Sequence, residues 1–236
     1  MLILALTLFG CAQKADVDAL EARLKTLEEK VEAQAARSPA PPAPADPVKE
    51  TAANAVMKEA TEALKLNDFV TAKARLSALK ADFPTTKAGK AADRMLREVG
   101  LVGEPAAPIE VEKWYQGKAT YADAPVTLLV FWEIWCPHCK REMPELAKRE
   151  ADLKKKGVQI IGFTKVTKSA TEESVAAFIK DEGIKFPMAK EKDATMSTGF
   201  NVSGIPAAAL VKNGKVIWRG HPGKLDDATI DKLING

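Results

Sequence analysis

Two cysteines separated by two residues are the side chains of this 236-residue chain that point most directly to chemistry. They lie in the pentapeptide Trp135-Cys136-Pro137-His138-Cys139. At the start of a helix, unpaired N–H groups and the helix dipole stabilise a thiolate, which is the reactive form in thiol-disulfide exchange. We therefore expect Cys136 to be the exposed, attacking sulfur and Cys139, about one turn further and more buried, to resolve the mixed disulfide. Pro137 suits the first helical turn, and a protonated His138 would add positive charge beside the thiolate.

The remaining composition narrows what this cysteine pair does. A zinc half-site needs two further ligands, and the chain offers only His221 besides the histidine between the cysteines, so no metal site is predicted. No other cofactor is predicted, because the Cys136–Cys139 disulfide is itself the redox-active group. A formal net charge of +3, with basic and acidic residues interleaved, gives no reason to predict a nucleic-acid partner.

From about residue 103 the chain alternates between predicted strands and helices. Residues 126–132 form a continuous apolar run, typical of a strand buried on both faces, and lead directly into the cysteine pair. Asn213-Gly214 between two apolar runs predicts a tight hairpin, and Asp226 or Asp227 can cap a final helix. The other predicted elements are a helix over about 137–156, a strand over 158–163, a helix over about 171–182, strands over 207–212 and 215–219, and a last helix ending near 234.

This order predicts an α/β protein with the thioredoxin fold, in which a central mixed sheet is flanked by helices. Three features resemble the TlpA/ResA-like thioredoxins in particular. They are the segment 131–144 around the cysteines, Pro144 five residues after Cys139, and the loop Val202-Ser203-Gly204-Ile205-Pro206. The resemblance covers roughly residues 103–236 and implies a thiol-disulfide oxidoreductase that works outside the cytoplasm.

The resemblance also implies roles for individual residues. Pro206 is expected to be cis and to hold Ile205 beside Cys136, where the Ile205 backbone can pair with an extended substrate. Glu142, three residues after Cys139, is the first candidate for proton handling, with a solvated surface glutamate as the alternative. Glu133 is the second candidate. Trp135, Pro137 and His138 are expected to contact substrate at the rim, whereas Trp132, Trp218 and His221 are interpreted as structural. Val130 replaces the buried aspartate of ordinary thioredoxins.

The direction of electron flow remains open. The Pro137-His138 dipeptide is also found in the oxidase DsbA, whose stabilised thiolate makes it a strong oxidant. The flanking residues resemble reductases, so reduction or isomerisation of protein disulfides is the favoured prediction and disulfide formation the alternative. A peroxiredoxin would share the fold, but its usual Thr-x-x-Cys signature is absent. A lipid-anchored scaffold that only binds partners is the non-enzymatic alternative.

The N-terminal 47 residues indicate a membrane attachment. Residues 1–11 are interpreted as an apolar export segment ending in a lipobox, with Cys11 as the lipidated residue; a frayed apolar start with a chance cysteine is the alternative. Residues 12–37 carry apolar side chains with coiled-coil spacing over 17–31 and predict a short stalk that forms a homo-oligomer or lies on a neighbour as a single helix. The Pro/Ala-rich residues 38–47 predict a semi-rigid linker.

Residues 48–100 are helical by pattern and resemble about one and a half tetratricopeptide repeats. Asn67-Asp68-Phe69 would form the turn of a helical hairpin, and Pro84 would separate the hairpin from the next helix. A spacer is the favoured interpretation, and a partner-binding module is the alternative. The predicted partners are therefore protein thiols and disulfides, a membrane or periplasmic electron donor or acceptor, and the membrane itself through the lipid, in a bacterial extracytoplasmic setting.

Overall fold

A computed structural model of the chain describes residues 17–32 and 46–235. The predicted export segment with Cys11, and the Pro/Ala-rich linker up to residue 45, lie outside the described residues. Within the described ranges, no helix is both long enough and apolar enough to cross a bilayer.

Residues 17–32 form a helix, α1, that belongs to a unit separate from the rest of the chain. The helix is confirmed, whereas its assembly into a coiled coil remains a prediction. Its five seam residues are between 51% and 65% exposed, namely Val17, Leu20, Leu24, Leu27 and Val31. The apolar face of α1 is therefore not covered within its own unit.

Three helices follow as a compact helical segment, α2 (Pro47–Lys65), α3 (Phe69–Asp82) and α4 (Lys87–Gly100). The predicted linker extends two residues too far. Asp46 is the N-cap of α2, with its carboxylate accepting a hydrogen bond from the Val48 amide at 3.0 Å, and Pro47 occupies the first helical position. Proline is tolerated there because the N–H it lacks has no partner inside a helix. The turn predicted at Asn67-Asp68-Phe69 lies one residue earlier, at 66–68, because Phe69 already begins α3, and the break at Pro84 is confirmed.

A six-stranded sheet with flanking helices forms the centre of the remaining chain. Its elements are β1 (Val111–Gln116), β2 (Val126–Trp132), α5 (Pro137–Lys155), β3 (Val158–Thr164), α6 (Glu172–Asp181), β4 (Met188–Glu191), α7 (Thr195–Gly199), β5 (Ala207–Lys212), β6 (Lys215–Gly220) and α8 (Asp227–Asn235). The strands lie in the order β1-β4-β3-β2-β5-β6. β2 and β3 are parallel, as are β3 and β4, while β5 runs antiparallel to β2 and to β6. The predicted thioredoxin fold is confirmed.

Strand β2 is buried on both faces along its whole length. Because successive side chains of a strand alternate between faces, Leu128 and Val130 join the core beneath α5, α6 and α8, whereas Leu129 and Phe131 join the core on the opposite side. The predicted central strand is therefore confirmed. It fixes the position at which the chain emerges from the sheet toward Cys136.

Three short elements, β1, β4 and α7, were not predicted. β1 is only partly buried, β4 has four residues, and α7 begins after Ala194 in a left-handed conformation without a side-chain cap. The hairpin at Asn213-Gly214 is confirmed, with φ of 52° and 72°, and Asp226 is the residue that caps α8, by accepting from the Thr229 amide at 2.8 Å.

The helical segment packs with residues 103–235 into one compact unit that begins at Asp46. Residues 103–235 are called the redox domain below, because they contain the Cys136–Cys139 pair. The sequence predicts a spacer and a separate catalytic domain, but α4 packs against β6 in the structure. Phe69 contributes to the apolar cores of both parts. The two parts are therefore joined by shared burial as well as by the chain.

Candidate active site

Cys136 lies where β2 has ended and α5 begins. It is the N-cap of α5, and its Sγ accepts a hydrogen bond from the backbone N–H of Cys139 at 3.4 Å. Pro137 occupies the first helical position, as predicted. The sulfur therefore lies against the positive end of a 19-residue helix, which favours negative charge on it.

The two sulfurs differ less in accessibility than the sequence predicts. Cys136 is only 4% exposed and Cys139 is fully buried, and both are free thiols. The prediction of an exposed Cys136 is thus wrong, although Cys136 is still the more accessible of the two. The cover comes from the loop before β5, because the Cys136 thiol lies 3.6 Å from the carbonyl oxygen of Ile205, to which it donates.

The loop opposite the cysteines contains the predicted cis peptide bond, between Ile205 and Pro206. This loop is about 70 residues from the cysteine pair in the sequence, and β5 brings it there because β5 pairs antiparallel with β2. The structure therefore brings Cys136, Cys139, Ile205 and Pro206 together, as the sequence predicts.

The surroundings of Cys139 raise the pKa of its thiol. Burial raises the pKa of the Cys139 thiol well above its usual range, and the hydrogen bond with Cys136 raises it further. A hydrogen bond with the Glu133 backbone lowers this pKa, and the charges of Cys136 and Glu133 raise it by smaller amounts. Cys139 is therefore held as a neutral thiol, and it needs a base before it can attack a mixed disulfide.

Glu133 is the buried acid of the site. It is 5% exposed, and its Oε2 accepts hydrogen bonds from Trp135 Nε1 at 2.6 Å and from the Thr167 hydroxyl. Lys165 Nζ lies 4.0 Å from the other carboxylate oxygen. The buried carboxylate therefore has hydrogen-bond donors on one oxygen and a cation near the other.

Glu142, the first candidate for proton handling, lies elsewhere. Its carboxylate is next to Gly223, where a Cβ would lie only 2.9 Å from Glu142 Oε1. Glu133 rather than Glu142 contributes to the pKa of Cys139. The sequence indicated that Glu133 could lie near Cys139, because Glu133 is an acid in the short segment that joins the fully buried strand β2 to α5.

Trp135 forms the rim of the site and is 37% exposed. Its indole N–H is tied to Glu133, and it also donates to Thr167 Oγ1 at 3.0 Å, while Lys168 Nζ lies 3.0 Å from the ring centroid. The ring is thus held by a buried carboxylate on one edge and a cation on one face. This arrangement presents a fixed aromatic surface beside the cysteines.

His138 is exposed on the first turn of α5, where Arg141 lies beside it. An Arg141 guanidinium nitrogen is 2.6 Å from His138 Nδ1. Since arginine only donates hydrogen bonds, Nδ1 is the acceptor in this contact. Arg141 therefore places a permanent positive charge beside His138 at the start of α5.

The remaining predicted positions surround the cysteine pair. Val130, which replaces the buried aspartate of ordinary thioredoxins, is fully buried, and Trp132 is buried against Phe178. His221 Nδ1 accepts from the Gly223 amide at 3.0 Å, and Trp218 is 5% exposed, as expected of structural residues. Across residues 17–32 and 46–235, no group of three or more His, Cys, Asp or Glu side chains is placed to hold a metal ion.

Comparison with known proteins places this geometry in a family. Residues 102–219, half of the chain, match the AhpC/TSA family. The chain belongs to the AhpC/TSA family. Among curated members, the thiol-disulfide oxidoreductase ResA of Halalkalibacterium halodurans is 27% identical over 154 residues, covering 65% of this chain and 79% of that protein.

Two further relatives extend the comparison. ResA of Bacillus cereus is 36% identical over 90 residues, or 38% of this chain, and the chain spans only 50% of the length of that protein. The thioredoxin domain of a thiol-disulfide oxidoreductase from Bacteroides vulgatus has a TM-score of 0.47 at 24% identity, covering 57% of this chain and 98% of that one. The curated ResA relatives, and not this structure, carry the assignment of the AhpC/TSA-family chain as an enzyme of the thiol-disulfide oxidoreductase class, as predicted.

Proposed function

We propose that this chain reduces or isomerises protein disulfides outside the cytoplasm of a bacterium, through its Cys-Pro-His-Cys pair. The observation that supports this most is the position of Cys136, at the start of α5 and 3.6 Å from the carbonyl of Ile205, next to the cis bond. An extended substrate that pairs with the Ile205 backbone would bring its disulfide to the attacking sulfur.

The reaction proceeds in two exchanges. The Cys136 thiolate attacks one sulfur of the substrate disulfide, that bond breaks, and the departing substrate sulfur takes up a proton. Cys139 then loses its proton and attacks Cys136, which releases the second substrate thiol and leaves a Cys136–Cys139 disulfide. The substrate gains two electrons, and a dithiol partner must reduce the enzyme before the next turnover.

Glu133 is the group we assign to accept the proton of Cys139. Cys139 is fully buried, so no bulk water reaches it, and Glu133 is a buried carboxylate whose charge acts on it. Thr167 and Trp135 hold that carboxylate in place. Glu142 beside Gly223 stays the alternative acceptor.

Disulfide formation is the second candidate function, and a specific observation favours it. Arg141 adds a permanent cation at the first turns of α5, where positive charge stabilises the reduced form and makes the disulfide more oxidising. The reduction potential of the pair decides between the two. A value near about −120 mV supports an oxidase, and a value below about −220 mV supports a reductase.

The activity is tested with insulin reduction and with the refolding of scrambled ribonuclease, using the chain with and without residues 12–37. We expect both activities to be lost in Cys136→Ser. Isomerase activity that depends on residues 12–37 supports a stalk that brings several active sites together, and equal activity without them contradicts that part of the proposal. Wild-type protein that is inactive in both assays contradicts the proposed reaction.

Attachment to a membrane through a lipid on Cys11 is the remaining part of the proposal. It is supported by the apolar residues 1–10 that precede this cysteine. The test is fractionation of cells that express the full chain or Cys11→Ser. Membrane association that persists in the variant contradicts the lipid anchor.

A further inference from the structure

A cleft separates the helical segment from the redox domain. It has a volume of about 860 Å³, within the range of small-molecule and peptide sites. Leu64 and Met95 line it on the helical side, and Ile205, Pro206 and His221 line it on the side of the redox domain. The cleft thus has one wall from each of the two parts of the compact unit.

One lining residue of the cleft contacts the reactive sulfur. Ile205 belongs to the lining, and the carbonyl oxygen of the same residue is 3.6 Å from Cys136 Sγ. A chain lying in the cleft therefore contacts the residue that touches the attacking cysteine. A role in binding the molecule that reacts follows more directly from this position than a role as a spacer.

The two walls are held together at two separate places. At the C-terminal end of α4, Ser203 Oγ donates to Glu98 Oε1 at 2.8 Å, and Asn201 Nδ2 donates to the carbonyl of Arg97 at 2.8 Å. At the turn between α2 and α3, Lys232 Nζ on α8 donates to the carbonyl of Leu66 at 3.1 Å. These attachments involve different elements on each side, so the width of the cleft is defined by the fold.

Backbone groups in the cleft are free to bind an extended chain. Within the part of the chain that the structure describes, the N–H groups of Ser203, Gly204 and Ile205 donate to no protein acceptor. A peptide in extended conformation offers carbonyl oxygens at the spacing that such a loop can bind.

The side chains of the cleft indicate which residues such a peptide carries. Leu64, Phe69 and Met95 provide a half-buried apolar surface. Arg94 and Lys224 add positive charge, and neither has an ion-pair partner among residues 17–32 and 46–235. The two acids of the lining are already engaged, Glu98 by Ser203 and Asp226 by the Thr229 amide.

We propose that the helical segment is the second wall of the substrate-binding site, and that the cleft takes an extended, cysteine-containing polypeptide with apolar and acidic side chains. The proposal rests on the proposed function, since it names the substrate class of the same redox centre. It assigns the helical segment to recognition, in place of the spacer role that the sequence favours.

The test compares two charge reversals on α4 in the full-length, reduced protein. Arg94 lies in the cleft, and Lys90 is also an exposed cation, one turn earlier and outside it. The substrates are two short peptides, one with leucine and glutamate around a single cysteine and one with lysine in place of glutamate, each as a mixed disulfide with thionitrobenzoate. The third substrate is the mixed disulfide of free cysteine with thionitrobenzoate, which is too small to span the cleft.

We expect Arg94→Glu to lower kcat/KM for the acidic peptide about five-fold and to raise it for the lysine peptide, because a charge at an interface rim acts mainly on association. Lys90→Glu should change either value less than about two-fold, and the loss caused by Arg94→Glu should be smaller with the cysteine disulfide than with the acidic peptide. Equal effects of the two variants on the peptides, or an equal loss with all three substrates, would overturn the proposal.

A second pair of variants tests the apolar part of the wall. Met95 lines the cleft, whereas Met57 is a half-buried methionine of the same helical core that does not. Met95→Ala should lower kcat/KM for both peptides by a similar factor, and Met57→Ala should not. If wild-type protein reduces none of the three disulfides, the proposed function fails. If it reduces them all and the paired variants behave alike, only the cleft proposal fails.

Discussion

At the scale of single residues, the site depends on a buried thiol and a buried carboxylate. Cys139 is fully buried and Glu133 is 5% exposed. Burial raises the pKa of the Cys139 thiol, whereas the carboxylate of Glu133 has two hydrogen-bond donors and the Lys165 ammonium around it. The thiol is therefore the group that must lose a proton, and the carboxylate is the acceptor that we propose for it.

The raised pKa of Cys139 predicts how stability depends on pH. In the unfolded chain this thiol loses its proton near pH 8.5, whereas in the folded protein it keeps the proton to higher pH. The unfolded state then binds fewer protons, so the stabilisation is fully present below about pH 8.5 and is lost as pH rises above it. We expect the free energy of unfolding of the reduced protein, measured in urea between pH 7 and 9.5, to fall with pH.

Cys139→Ser is the matched control for this dependence. Tyr115, whose pKa burial raises to about 12, acts in the same direction, but only above about pH 10, where an exposed tyrosine begins to ionise. The variant should therefore show a shallower fall over the measured range. Identical slopes for the two proteins would show that the Cys139 thiol titrates alike in the folded and unfolded states.

The assignment of Glu133 as proton acceptor predicts a second effect. Glu133→Gln removes a charge that raises the pKa of Cys139, so the Cys139 titration, followed by NMR of ¹³C-labelled cysteine, should move to lower pH. Release of substrate from the mixed disulfide should nevertheless slow at least about ten-fold, because the acceptor is gone. Glu142→Gln is the control and should change neither quantity. The reverse pattern in these two variants would assign the proton to Glu142.

The residue scale also shows how far sequence reasoning reached. Spacing identified Cys136 and Cys139, because a Cys-x-x-Cys pair is a local pattern, whereas Pro206 was identified by the resemblance of residues 202–206 to the cis-proline loop of TlpA/ResA-like thioredoxins. The burial of Cys136 depends on a loop about 70 residues away, and no local pattern reports that contact. The environment of Glu133 likewise depends on Thr167 and Lys165, which only the folded sheet brings near.

At the scale of elements, predictability followed length and periodicity. β2 and α5 carry continuous or periodic apolar positions over 7 and 19 residues, and both were predicted. β4, with four residues, is a strand because β1 and β3 flank it, which is a tertiary cause that its own sequence does not carry.

The start of α4 offers a test of how tightly the helical segment is packed. A Cβ on Gly89 would collide with the backbone carbonyl of Phe83, whereas one on Gly100, in the same helix, would meet nothing within 4 Å. We expect Gly89→Ala to lower the free energy of unfolding by about 2 kcal/mol or more through overpacking. Gly100→Ala should leave it unchanged or raise it by up to about 1 kcal/mol, through helix propensity. Urea denaturation measures both, and equal effects would contradict a close contact at Gly89.

At the scale of the whole molecule, the helical segment and the thioredoxin fold are one unit, although the sequence presents them as two. Composition and periodicity change near residue 101, and they indicate two folding patterns. What joins them is a small set of specific contacts, such as Lys232 with Leu66 and Ser203 with Glu98, between residues more than 100 positions apart. Patterns within a short window do not contain this information.

The exposed seam of α1 predicts self-association of the full chain. Leu24 is 60% exposed in the middle of a row of apolar side chains, and a second copy would remove that row from water. Analytical ultracentrifugation of the full chain should show oligomers that Leu24→Asp reduces to monomers. Val70→Asp alters an equally apolar side chain, 81% exposed on α3, and should leave the oligomer intact. A wild-type chain that is monomeric at all concentrations contradicts the predicted stalk.

The close cover over Cys136 has a consequence for the lifetime of the enzyme. Hydrogen peroxide converts accessible thiolates to sulfenic acid and then, irreversibly, to sulfinic acid, and the rate follows exposure. A sulfur that is 4% exposed meets such oxidants rarely, while a substrate held beside Ile205 reaches it directly. In the extracytoplasmic setting that we propose, this shielding would preserve the reduced enzyme between encounters with its substrates.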